Sequence, residues 1–165
     1  MANFSPHMIP FLRNLFAGSA GALMSMPANM LLLGPMAKLT GAPMLPEPPA
    51  GAEVAEVQAF YAPMIAAMEP IHFAGPILAH WNGAFVGALI AGLLTHNKSP
   101  WPPMLVAGFV MMGGIAMAIF TSSQPLWTMV LDLAGYLPMG WLGMMLAHRL
   151  RSAFRASTTD AQASR

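Results

Sequence analysis

Residues 71–95, IHFAGPILAHWNGAFVGALIAGLLT, decide the fold: they carry no Asp, Glu, Lys or Arg over 25 positions. A bilayer core about 30 Å thick needs roughly 20 helical residues, so this stretch is long enough to cross one. Three more segments fit the same template, giving expected spans at about 12–36, 71–95, 101–120 and 126–147. The expectation is an all-α, polytopic membrane bundle of four transmembrane helices occupying residues 1–150. The first span resembles a secretory signal because Arg13 precedes an apolar run, but that run continues through Met30, Leu31, Leu32 and Leu33 without a small-x-small cleavage site. It is read as a retained helix.

Composition agrees with this class. Of the 165 residues, 56% are hydrophobic and 8% charged, against roughly 25% charged in soluble domains. The formal net charge of +1 comes from scattered residues, so the basic stripe of a nucleic-acid binder is missing. With no cysteine, disulfides, thiolate metal sites, iron–sulfur clusters and cysteine nucleophiles are excluded. Serine nucleophile elbows, phosphate loops, zinc-protease helices and paired carboxylates are absent too, which disfavours an enzyme.

The basic residues orient the expected spans. Arg13, Lys98, Arg149, Arg151, Arg155 and Arg165 fall on one side, whereas the loop at 37–70 sets Lys38 against Glu47, Glu53, Glu56 and Glu69. The positive-inside rule puts the side rich in Lys and Arg, and both termini, in the cytoplasm. The external loop divides in two. Pro43, Pro46, Pro48 and Pro49 make an extended spacer, while Val54, Val57, Tyr61, Met64, Ile65 and Met68 recur at helical spacing behind Glu53 and Glu56. That second part is expected to be a short external amphipathic helix. An uncharged turn is expected at 121–125. The tail at 151–165 has too little apolar content after Phe154 to bury and is expected to be a disordered cytoplasmic segment.

Candidate site residues come from depth and small-residue spacing. Gly83 and Gly87 repeat four residues apart behind His80, and Asp132 shares a helix face with Gly135, Tyr136 and Gly143. The two spans are therefore expected to be neighbours. At about 1.5 Å per residue, His80 lies roughly 13 Å from the outer end of its span, Asp132 roughly 9 Å and Asn29 roughly 10 Å. These three form the expected buried polar layer. A lone charge in hydrocarbon costs at least about 2.5 kcal/mol, so Asp132 should face inward and find His80. Imidazole ordinarily changes charge near neutral pH, which makes a proton-responsive pair one reading. A buried hydrogen bond that fixes helix register is the other.

Weaker constellations point elsewhere. His7 and His72 lie near opposite interfaces and His96 and His148 at the cytoplasmic ends of their helices, so His80 lacks a deep histidine partner for a haem. Met36, Met44, Met64 and Met68 could flank His72 as soft ligands, but the 17 methionines are scattered and read as gap-filling side chains. Trp101 and Trp127 fit an interfacial belt, and Pro138 interrupts the amide pattern of the fourth span. No cofactor or metal is expected.

The run from Phe73 to Ala88, with its Ala-His-x-x-Gly-x-x-x-Gly pattern at 79–87, and the Pro-Leu-Trp to Trp-Leu-Gly run at 125–143 resemble a family of small, uncharacterised bacterial four-helix inner-membrane proteins. The resemblance covers about 12–147 and implies the fold and a bacterial cytoplasmic membrane; Gly140 stands where such relatives are expected to carry alanine. It assigns no role to His80 or Asp132. The function expected from the residues is a small non-catalytic integral membrane protein, an accessory or structural subunit, with lipid and either a membrane-protein partner or further copies of itself around it. The alternatives are a small transporter or proton-coupled channel using the His80, Asp132 and Asn29 layer, and a haem-binding electron carrier.

Overall fold

A computed structural model describes residues 8–120 and 124–163. His7, Arg165 and residues 121–123 of the expected turn lie outside them. The described chain is helical throughout, as α1 (Met8–Thr40), α2 (Val54–Ala66), a 3-10 turn (Pro70–Phe73), α3 (Ala74–Leu94), α4 (Trp101–Phe120) and α5 (Leu126–Ala163). By length and composition α1, α3, α4 and α5 could each cross a bilayer.

The helices begin and end where local chemistry allows. At α2, the Glu56 carboxylate accepts from the Glu53 amide at 3.0 Å, so the two acids in the first turn serve the exposed amides there. His72 Nδ1 accepts from the Glu69 amide at 3.2 Å and closes the turn that leads into α3. Between α1 and α2, the proline-rich stretch is irregular, with Gly41 and Gly51 at φ of 68° and 77°. Such angles suit glycine best, since it has no Cβ to clash. Beyond the expected span, α5 continues as helix to Ala163 rather than losing structure after Phe154. Arg, Ala and Gln in that tail are good helix formers, and a helix already nucleated upstream extends at little cost.

At the centre stands α3, packed on α1, α4 and α5. Its buried positions are nearly all small: Gly75, Ala79, Gly83, Ala84, Gly87, Ala88, Ala91 and Gly92. Small side chains let three neighbours approach one helix at backbone distance. The seam with α1 is made by glycines set against carbonyls. A Cβ on Gly21 would overlap the Gly87 carbonyl oxygen, and one on Gly83 would lie 2.9 Å from the Ser25 carbonyl oxygen. The seam with α5 is separate. There Gly135 underlies the Trp81 indole, Gly143 faces the Phe85 carbonyl, and Gly92 meets Ala147.

The two polar helices are neighbours, as expected, but their glycines do not face one another. Gly83 and Gly87 pack on α1, whereas Gly135 and Gly143 pack on the neighbouring flank of α3 defined by Trp81 and Phe85. Successive helical residues turn through about 100°, so Trp81 and Phe85 point well away from Gly83 and Gly87. One helix can thus serve two partners.

The bundle has two unlike ends. The basic end gathers Arg13, Lys98, Arg149, Arg151 and Arg155 together with the C-terminus of α3; the acidic end holds α2, the proline-rich segment and four glutamates. At the acidic end, α2 rests on the start of α3 through Ile65, Phe73 and Ile77, with Tyr61, Met68 and Trp81 around them. Gln58 Nε2 donates to the Ile119 carbonyl at 3.3 Å and ties α2 to α4.

Candidate functional site

Within the acidic half of the bundle, α3 and α5 run parallel and bring His80 and Asp132 to the same level. His80 Nδ1 lies 2.9 Å from Asp132 Oδ2. The same carboxylate oxygen accepts from the Tyr136 hydroxyl at 3.1 Å. Tyr136 stands one turn after Asp132, at the i, i+4 spacing that makes two helical side chains neighbours. Its ring stacks near His80, with centroids 6.0 Å apart and planes 24° from parallel. Trp81 completes the group, donating its indole N–H to the Asp132 main-chain carbonyl at 3.0 Å.

Small residues make room for these large ones. Gly135 leaves the space that the Trp81 indole fills, and Gly114 on α4 leaves the space for the Tyr136 hydroxyl. Tyr136 is fully buried, while the His80 and Asp132 side chains are 26% and 15% exposed. Burial on this scale excludes water from the tyrosine but leaves an edge of the pair open. Asp132 is satisfied on one side only: Oδ1 is buried and has no hydrogen-bond partner among the described residues. A buried carboxylate oxygen without a donor is a polar group whose lost hydration is not replaced. The arrangement ties α3 to α5 through one carboxylate oxygen that contacts both the imidazole and the Tyr136 hydroxyl.

Asn29 does not join this group. It lies half-buried on the α1–α3 seam, its Cβ against Gly83, and no described hydrogen bond links it to His80 or Asp132. The polar tie between α1 and α3 is made instead by Asn82, whose Nδ2 donates to the Ala28 carbonyl at 2.8 Å. An amide on either helix could have crossed this seam, and spacing alone does not choose between them. Tyr136 was more legible, since its offset from Asp132 brings a hydroxyl over the carboxylate whatever the neighbouring helices do.

The other candidates have structural partners. His72 closes its turn, Met68 packs on the apolar cluster below α2, and Met44 is almost wholly exposed. No group of three or more His, Asp or Glu side chains suited to a metal ion occurs among the described residues. His96 and His148 lie at the basic end, far from the level of His80.

That basic end contains polar contacts that spacing in the sequence does not reveal. Arg151 donates one terminal nitrogen to the Gly92 carbonyl at 3.1 Å and to Thr95 Oγ1 at 3.0 Å. Arg13 Nε donates to the Leu94 carbonyl at 3.1 Å, and Asn14 Oδ1 accepts from the His96 amide at 2.7 Å. Two helices thus supply the donors that the last carbonyls of α3 lack. Their cations also oppose the negative end of its dipole.

No family model, curated protein or solved structure matches this chain.

Proposed function

We propose that the protein is an integral membrane protein whose α1, α3, α4 and α5 cross the bilayer, and that it acts without catalysis as a small accessory or structural subunit of a membrane assembly. The observation that carries this reading is the contrast between the interior and outer surfaces. Interior seams close with glycine against backbone, while α1 turns Leu23, Met26 and Leu31 outward at 75%, 69% and 76% exposure. Apolar surface on this scale belongs against lipid or a partner's helices. The segregation of cations from glutamates supports basic end and termini in the cytoplasm, with α2 at the outer surface. The resemblance noted above favours a bacterial inner membrane.

Native mass spectrometry of the protein extracted in mild detergent tests the subunit reading. Reproducible extra mass from another chain supports it; multiples of 17.5 kDa alone turn it toward a self-associating protein; a partner-free monomer in native membranes ends it.

A second reading is favoured by one specific observation, the convergence of His80 and Tyr136 on a single oxygen of Asp132. It is a proton-coupled transporter or channel. Proton flux into proteoliposomes that is unchanged by Asp132→Asn and by His80→Ala would remove that reading.

A further inference from the structure

Cations converge at the basic end, and among the described residues no carboxylate bonds to Arg13, Lys98 or Arg151. Arg13 and Arg151 both rest on the last turn of α3, and Arg13 and Arg155 are close enough to Arg151 for their charges to act on it. Lys98 joins them from the α3–α4 turn, where its backbone adopts φ of 54° and its Nζ donates to Ser152 Oγ. Lys98 and Arg151 also both act on His148, whose Nε2 is buried with no described hydrogen-bond partner. The groups that receive Arg13, Lys98 and Arg151 are carbonyls and hydroxyls, which carry only partial charge. Glu47, Glu53, Glu56 and Glu69 are at the opposite end, and Asp132 lies in the acidic half.

Donors are left over as well. A guanidinium offers five N–H groups in a planar fork. Arg13 uses Nε alone, and Arg151 a single terminal nitrogen, so most of each fork has no acceptor among the described residues. The carbonyl contacts hold both guanidiniums on the last turn of α3 and restrict where they can move. Two immobilised forks, a lysine and no carboxylate match a tetrahedral dianion or monoanion whose several oxygens each accept a charged N–H bond.

We infer that Arg13 and Arg151, with Lys98 beside them, form a seat for a phosphate group. The phosphate is either the headgroup of an anionic phospholipid or free inorganic phosphate. The lipid source rests on the membrane reading above; the seat itself does not. Basic pockets between helices at a cytoplasmic surface bind such headgroups by the same chemistry.

The test uses the full chain in non-ionic detergent. Native mass spectrometry compares retention of phosphatidylglycerol and phosphatidylcholine, and thermal unfolding is followed with and without inorganic phosphate. The seat predicts preferential retention of phosphatidylglycerol, stabilisation by inorganic phosphate, or both, falling about fivefold in apparent affinity for Arg13→Gln while Arg149→Gln has little effect. Response to the lipid alone identifies a headgroup as the source; an equal response to inorganic phosphate identifies free phosphate. If Arg13→Gln lowers the unfolding midpoint without ligand, Arg13→Lys supplies the comparison, keeping the charge and losing the fork. Equal retention of both lipids with no effect of inorganic phosphate overturns the seat, as does an Arg149→Gln loss matching that of Arg13→Gln. A protein that resists carbonate extraction yet fails both ligand arms loses the seat and keeps its membrane assignment; one that is released by carbonate yet responds to inorganic phosphate does the reverse.

Discussion

Gly143→Ala should destabilise the bundle, while the chemically identical Gly113→Ala should not. A Cβ on Gly143 would overlap the Phe85 carbonyl oxygen and come within 3.1 Å of the Leu89 amide nitrogen. Both obstacles are backbone, so no rotamer change relieves them and α3 and α5 must part by something on the order of half an ångström. Overpacking of this kind costs about 1–3 kcal/mol. Replacing glycine by alanine within a helix returns about 1 kcal/mol through backbone propensity. With the cost at its upper end because backbone cannot rotate aside, Gly143→Ala should lose about 1–2 kcal/mol net. At Gly113 no atom lies within 4 Å of the added methyl, so only the favourable propensity remains. The two variants should then differ by about 2–3 kcal/mol. Reversible unfolding in mixed micelles of rising SDS content, followed by far-UV circular dichroism, measures both. Equal stabilities, or a greater loss at Gly113, would refute the account of the α3–α5 seam.

Tyr136→Phe removes one bond to Asp132 while leaving the His80 contact, and should cost about 0.5–1.5 kcal/mol, the usual net contribution of one intramolecular hydrogen bond. A double-mutant cycle with Asp132→Ala checks it: a coupling energy indistinguishable from zero would mean that the two groups do not interact. A variant retaining Trp81 as its only tryptophan should shift its emission on Asp132→Ala, because its indole donates to the Asp132 main-chain carbonyl where the His80 and Tyr136 contacts hold α5 in place; an unchanged spectrum would contradict that packing. Arg151→Gln should lose about 1–2 kcal/mol, because fully buried Thr95 and the Gly92 carbonyl lose a charged donor; an unfolding midpoint equal to wild type would show that the last turn of α3 needs no such support. Hydrogen exchange at the last α3 amides should rise in the same variant.

His80 and Asp132 illustrate how far spacing carries a site. Each sits a countable number of 1.5 Å steps from the end of a helix, and two parallel helices starting at the same end of the bundle place them level. Asn29 passes the same depth test and still stands apart, its Cβ on Gly83 while Asn82 makes the tie to α1. Depth is therefore a necessary condition for joining the group, and direction around the helix decides membership. Arg13 and Arg151 lie still further from sequence-level reasoning, since 138 positions separate two side chains that serve one helix end. Nothing in either local segment marks the carbonyl that it will reach.

The sequence by itself determined four long apolar helices, a short helix headed by Glu53 and Glu56, the proline-rich break before it and the segregation of basic from acidic residues. Those properties follow from apolar run length, helix rise and turn chemistry, which act over a few neighbouring residues. Only the tertiary structure decided that Gly83 and Gly87 receive α1, that Gly135 and Gly143 receive a different flank of α3, that Tyr136 shares Asp132 with His80, and that Arg13 and Arg151 close the end of α3. The reason is geometric. Position along a helix axis is set by that helix alone, but the neighbour on each of its faces depends on how all the helices pack together, and stripes of small residues fit more than one partner.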